Sequence, residues 1–157
     1  MIRIHNDNLG RILHFALHQR LYNFCIKYTP EFPAEIAVNN WLNRVFMSDP
    51  NLHLLVEVDD AYTITEHALV EVQSARVGIN IDHKVIYCHQ AQHDKPSISH
   101  AVELMEYIDK LREHEGAVAS IFSIANPKHA SQFQKRHGYQ ILRTVLIKTS
   151  EEESSDG

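Results

Sequence analysis

Residues 84–149 decide the fold. They read KVIYCHQAQ (84–92), HDKP (93–96), SISHAVELMEYIDKLREH (97–114), AVASIFSI (117–124), PKHASQFQKRH (127–137) and YQILRTVLIKT (139–149). Val85, Tyr87 and His89 alternate with Ile86, Cys88 and Gln90, which is strand period. His93-Asp94-Lys95-Pro96 then breaks the pattern. Pro96 suits the first turn of a helix, where its missing N–H costs nothing, and Ile98, Ala101, Val102, Met105, Ile108 and Leu111 recur at helical spacing as a buried stripe. Asp94 is the expected cap of this helix, and Gly116 follows its end. Val118, Ile121, Phe122 and Ile124 predict a mostly buried strand. A short helix over 127–137 stops at Gly138, a left-handed terminator, and a last strand runs from Tyr139 to Thr149. The segment is therefore strand, helix, strand, helix, strand.

Upstream, residues 2–5 alternate as a short strand. Asn6 or Asp7 caps a helix whose apolar positions are Leu9, Ile12, Leu13, Ala16, Leu17, Leu21 and Phe24. Pro30 and Pro33 end it. A second amphipathic helix places Ala34, Val38, Trp41, Leu42 and Val45 on one face and stops at Asp49-Pro50. Period two returns: Leu52, Leu54, Val56 and Val58 alternate with His53, Leu55 and Glu57, and Ala68, Val70 and Val72 with Leu69, Glu71 and Gln73. Asp59-Asp60 predicts the hairpin turn between them, and a looser connection containing Gly78 follows. The order βααβββαβαβ predicts an α/β (α+β) fold, a mixed, mostly antiparallel sheet covered by helices. It spans one domain over 1–149, with an acidic, serine-rich tail over 150–157 predicted to be disordered.

Composition narrows the function classes. The chain has 157 residues, 44% hydrophobic and 22% charged, with a formal net charge of −5. No basic run occurs, which argues against nucleic acid as a partner. No apolar run approaches about 18 residues, so no membrane span is expected, and the polar start predicts no signal peptide. The two cysteines, Cys25 and Cys88, lie in apolar patterns and predict buried free thiols in a reducing, cytoplasmic setting. Cys88 and His89 point to opposite strand faces, against a thiolate–imidazole pair. Among twelve histidines, His14 and His18 stand one helical turn apart, but no third ligand is evident and no metal is expected.

Two motifs carry a resemblance. The chain, apart from its tail, resembles the GNAT N-acetyltransferase superfamily, and the specific similarity lies in 84–148. That family holds the pyrophosphate of acyl-CoA on a Q/R-x-x-G-x-G/A turn at a helix start, where backbone N–H groups and the helix terminus attract anions. Asp94 stands at the Gln/Arg position, and Ser97 and Ser99 stand at the glycines. The last helix is similar to the family pattern N-x-x-A-x-x-x-Y-E-K-x-G-F. Ala130, Arg136, Gly138 and Tyr139 match its Ala, Lys, Gly and Phe, while Asn126 falls one residue early. Gln134 stands where the family's Tyr serves as general acid, and an amide has no proton to give near neutral pH.

The resemblance implies an acyl-CoA-dependent N-acyltransferase, or a relative with weakened catalysis, acting on acetyl-CoA or another acyl-CoA and an amine acceptor. Backbone groups around His89, Gln90 and Ala91 would hold the pantetheine, and Lys95, Ser97, Ile98 and Ser99 the phosphates, with Lys84 as a further cation. Gln134 completes the cofactor-side residues. Glu71 and His89 are the candidate bases, with Glu66 and the nearby His93 and His100 as others, and Tyr139 is the candidate substitute acid. The altered motifs equally admit a non-enzymatic interaction protein with protein partners in an assembly. A tailed-bacteriophage virion or assembly protein, in host cytoplasm or virion, is the form this takes.

Overall fold

The computed structural model describes residues 1–76, 82–95, 97–122 and 127–139. These fall into two compact units, Met1–Ser123 and Ile124–Gly157. In the first unit the elements are β1 (Ile2–Arg3), α1 (Asn8–Tyr28), α2 (Ala34–Phe46), β2 (Leu52–Val58), β3 (Ile64–Arg76), β4 (Asp82–His93), α3 (Ile98–Glu115) and β5 (Ala119–Phe122). The strands lie in the order β1-β2-β3-β4-β5; β4 and β5 run parallel and every other neighbouring pair antiparallel. The expected mixed, mostly antiparallel α/β architecture is thus observed. The expected last strand beyond Tyr139 (140–149), the tail over 150–157 and the connection at Gly78 lie outside the described residues, as does the boundary at 149.

Helices cover both faces of the sheet. Leu13, Leu17, Leu21 and Cys25 of α1 and Val38, Leu42 and Val45 of α2 form one core with Leu52, Leu54 and Val56. On the opposite face Leu104, Met105, Ile108 and Leu111 of α3 are buried, and α3 lies against β4 and β5. Between these layers β2 is buried on both sides from Leu52 to Val56, because His53 turns to α3 through a 2.7 Å hydrogen bond to Tyr107. Three positions of the expected stripes differ. Ile12 is 60% and Val102 39% exposed, and Ala16 is exposed too, since each sits on the edge of its helix just beyond the arc that meets the sheet.

The caps follow local chemistry. Asp7 accepts the Gly10 N–H at 2.9 Å, and the Asp59 carboxylate accepts from Ala61 and Thr63 to close the β2–β3 hairpin. Ser97, with extended backbone at φ −144°, caps α3. Asp94, the expected cap, instead pairs with Arg20 at 2.9 Å. A cap must stand immediately before the first helical residue, and Ser97 does.

One irregularity in the sheet positions the site. Val70 pairs with Cys88, but Leu69 pairs with Gln90. His89 is therefore the extra residue of a β-bulge, and the bulge re-aims side chains. Tyr87, His89 and Gln90 all turn toward α1 and α2: Trp41 lies 5.3 Å from the His89 ring, and the Gln90 amide donates to the Leu21 carbonyl at 3.2 Å. In a regular strand two consecutive side chains never share a face.

The second unit contributes α4 (Pro127–His137). Gly138 takes φ +69°, a conformation costly for residues with a Cβ. The Tyr139 N–H then returns to the Phe133 carbonyl at 3.4 Å, and its ring meets Phe133 edge-on at 5.7 Å.

Candidate active site

Glu71 and His89, named from sequence as separate candidates, are brought together: His89 Nε2 lies 2.8 Å from Glu71 Oε1. The same carboxylate accepts from Gln73 at 2.8 Å and, through Oε2, from Arg44 of α2. Burial pushes the Glu71 carboxyl up, but the hydrogen bonds from Gln73, His89 and Arg44 outweigh it and hold the group below its ordinary range. For His89, burial lowers the pKa and prevails over the pull of Glu71. Near neutral pH the pair is therefore a carboxylate and a neutral imidazole. A carboxylate only accepts, so Nε2 carries the hydrogen and Nδ1 keeps a lone pair. The contact has the form of a carboxylate–imidazole pair in which the acid fixes the tautomer of the ring.

The dyad borders a cleft of about 420 Å³ between α1, α2 and β4, walled by Phe24, Phe32, Pro33, Ile36, Trp41 and Tyr87, with His89 and Gln90 on its β4 side. That volume lies within the range of small-molecule pockets. Gln90 is 2% exposed. Its side chain bridges α1 and β3, accepting from His67 Nε2 at 2.9 Å and donating to Leu21 and Cys25. His67 Nδ1 in turn accepts from Arg20 Nε at 2.7 Å. Arg20 also reaches the carbonyls of Ile64, Thr65 and Gln92, tying α1 to the end of β4. Burial raises the pKa of both thiols, Cys88 to about 12, so neither is a nucleophile near neutral pH.

The turn after β4 carries the other candidates. The Asp94 N–H donates to Thr65 O at 3.0 Å, and the Lys95 N–H to His93 Nδ1 at 2.8 Å. Among the described residues Lys95 makes no ion pair, whereas Lys84 pairs with Glu115 at 3.1 Å. Ser97 Oγ lies 2.9 Å from Ser99 Oγ and 2.7 Å from His100 Nδ1. Ser97 is extended and Ser99 helical, so neither position needs a glycine for its backbone angles. The first N–H groups of α3, at Ile98 and Ser99, have no acceptor within the helix. Ala91 pairs with Ala68 in the ladder. Gln134 is exposed on α4, and Tyr139 packs within its own unit. Pro96 and Asn126 lie outside the described residues, as does the side chain of Ala130.

Glu66, on the α3 side of the sheet, is 4% exposed with Oε2 unpartnered. Burial, then the neighbouring Glu57 carboxyl, raises its pKa to about 7. Glu57, His93 and His100 gather ligand-type atoms within 4.8 Å of one another. Yet the His93 and His100 rings stack at 3.5 Å, which aims their in-plane lone pairs side by side rather than at one point. His14 and His18 pack on Phe46 and Tyr22, and among the described residues no third ligand joins them.

Arg20, Arg44, Trp41 and Gln73 are site residues that the sequence does not single out, Trp41 and Gln73 reading there only as positions in a helix face and a strand. The one available signal was a charged residue, Arg20, at the inner edge of an apolar helix stripe.

No family model matches the sequence, and no curated protein does. Solved structures do. A tetramutant of the BH1408 protein from Bacillus halodurans superposes with a TM-score of 0.67 at 13% identity, over 96% of this chain and 100% of that one. The aminoglycoside N-acetyltransferase AAC(6')-Iy, in complex with a CoA bisubstrate analogue, gives 0.63 at 12%, over 96% of each chain. A ribosomal-protein-alanine N-acetyltransferase from Brucella melitensis biovar Abortus 2308 gives 0.59 at 8%, over 95% and 98%. The fold is that of the GNAT acetyltransferases.

Proposed function

We propose that this GNAT-fold chain is an acyl-CoA-dependent N-acyltransferase in which His89, oriented by Glu71, accepts the proton of a bound amine. The observation that carries the reading is the 2.8 Å Glu71–His89 contact at the wall of a cleft beside a strand bulge. Acyl-CoA, when bound, supplies an acyl group activated as a thioester.

The residues fit that cofactor. The N–H groups of Ile98 and Ser99, which have no acceptor within the helix, and Lys95, which makes no ion pair among the described residues, suit phosphates. The charge of Asp94, which would repel them, is offset by Arg20. Backbone groups of His89, Gln90 and Ala91 are the proposed pantetheine contacts, and Gln134 a further cofactor-side residue. His89 Nδ1 takes the amine proton, leaving the nitrogen lone pair available, while Glu71 stabilises the resulting imidazolium. Trp41 and Tyr87 exclude water around the acceptor, and positioning supplies the rest of the rate. Tyr139 is the proposed proton donor to the leaving sulfur, since Gln134 cannot serve. Acetyl is the proposed acyl group. The two buried thiols suit a cytoplasmic location, and no described helix is long and apolar enough to cross a membrane.

The test joins binding to turnover. Acetyl-CoA at about 100 times its Kd should stabilise the fold by about 2.7 kcal/mol, and Ser99→Glu should abolish the shift. His89→Gln should keep the shift while lowering amine acetylation by about 10²–10⁴-fold. The acidic limb of kcat/KM should lie below pH 6.5, the ordinary His value, and move lower still in Glu71→Gln, where Arg44 remains and the carboxylate is gone.

Gln134 at the acid position and the self-capped Ser97 favour the alternative, a non-enzymatic interaction module such as a bacteriophage virion or assembly protein. That reading expects no shift with CoA or acetyl-CoA, together with stable association with partner proteins.

A further inference from the structure

We infer that the cleft beside His89 takes a primary amine carried on an aromatic or bulky hydrocarbon body, with no second positive charge. The inference rests on the transferase reading for calling the ligand an acceptor, but the recognition chemistry stands on the cleft itself. Among the described residues its lining contains no Asp, Glu, Lys or Arg. Glu71, the carboxylate bonded to the lining residue His89, is already spent: Oε1 accepts from His89 and Gln73, and Oε2 from Arg44. A second ammonium entering here would lose its water and gain no counter-charge, a large cost.

Hydroxyl-rich bodies fare no better. The Thr29 hydroxyl donates to the Cys25 carbonyl at 3.2 Å, and the Gln90 amide is used on both sides by His67, Leu21 and Cys25. Few lining side-chain polar groups remain for a polyol, and each unmatched hydroxyl is desolvated without return. An apolar body gains instead. Phe32 and Ile36 are 56% and 70% exposed, apolar surface at the cleft that a hydrocarbon ligand would cover. The single ammonium finds the Trp41 ring face and, on losing its proton, His89 Nδ1.

Trp41 is the sole tryptophan of the chain and lines the cleft, so its fluorescence reads binding without any turnover. Titration with 2-phenylethylamine and n-hexylamine should saturate at concentrations at least tenfold lower than titration with 1,4-diaminobutane or spermidine. Phe32→Ala, at an exposed position with little bearing on folding, should weaken 2-phenylethylamine several-fold and leave the diamine unchanged. Diamine or spermidine binding equal to or tighter than the monoamines would overturn the inference, as would no binding of either monoamine. Acetylation confined to polyamines would overturn it while keeping the transferase reading. Selective monoamine binding with no acetyl transfer would keep the cleft chemistry and sink the transferase.

Discussion

Replacing Arg20 with methionine keeps most of the side chain's apolar bulk and removes its guanidinium. Four acceptors then lose a donor: His67 Nδ1 at 2.7 Å and the carbonyls of Ile64, Thr65 and Gln92 at 3.1, 3.4 and 3.3 Å. His67 is 1% exposed, so water does not replace the lost bond, and a stranded buried acceptor costs about 1–3 kcal/mol. The Ile64 contact adds about 1 kcal/mol, and the two longer ones less. Asp94, half exposed, adds at most about 1 kcal/mol. These bonds share one donor group and do not add fully, so the expected loss is about 3 kcal/mol. Urea unfolding followed by circular dichroism measures it as a lower midpoint at unchanged slope. Asp94→Asn alone should cost under about 1 kcal/mol. A loss below about 1 kcal/mol for Arg20→Met would refute the network as the tie between α1 and the end of β4. Equal losses for the two variants would refute the weighting by burial.

Three further outcomes are expected. A Cβ on Gly10 would sit 2.1 Å from the His5 carbonyl oxygen and 3.0 Å from Phe46, so Gly10→Ala should destabilise by about 1–3 kcal/mol despite its better helix propensity, read as a lower Tm. Burial holds His53 and His67 near a pKa of 4 rather than 6.5; the unfolded chain protonates first, so their stabilisation is complete above pH 6.5 and is lost as pH falls toward 4, which unfolding midpoints between pH 7 and 4 would record. Glu66 works in the opposite sense, raised from 4.5 to about 7: its contribution is complete below pH 4.5 and lost as pH rises through 7. Glu66→Gln should therefore stabilise at pH 8 by up to about 3 kcal/mol and change little at pH 4.5, whereas an equal effect at both pH values would exclude charge burial as the cause.

Much of the fold was legible because its signals are local. The Asp59 hairpin, the α3 stripe and the left-handed Gly138 each depend on residues within one turn or one strand of themselves. The exposure of Ile12 was not legible, because the width of a buried arc depends on what packs against it. The Asp94 pairing was missed because its partner, Arg20, lies on another element; the same guanidinium reaches carbonyls 44 to 72 residues away. Glu71 and His89 could be named separately from the alternation of their strands. Their contact could not, since it depends on register and on one extra residue in β4. Tyr87, Cys88, His89 and Gln90 read as ordinary alternation in the sequence, and nothing in residue type marks where the count slips.

That slip makes His89 supernumerary to the sheet. The ladder partners Val70 with Cys88 and Leu69 with Gln90, so excising His89 outright would leave every other rung with its mate and turn β4 into an unbroken strand. Gln90 would keep its place under α1, while Glu71, Trp41 and Tyr87 would lose a neighbour. The proposed base can thus be added to, or subtracted from, this scaffold as a single inserted residue, without renegotiating the core that holds it.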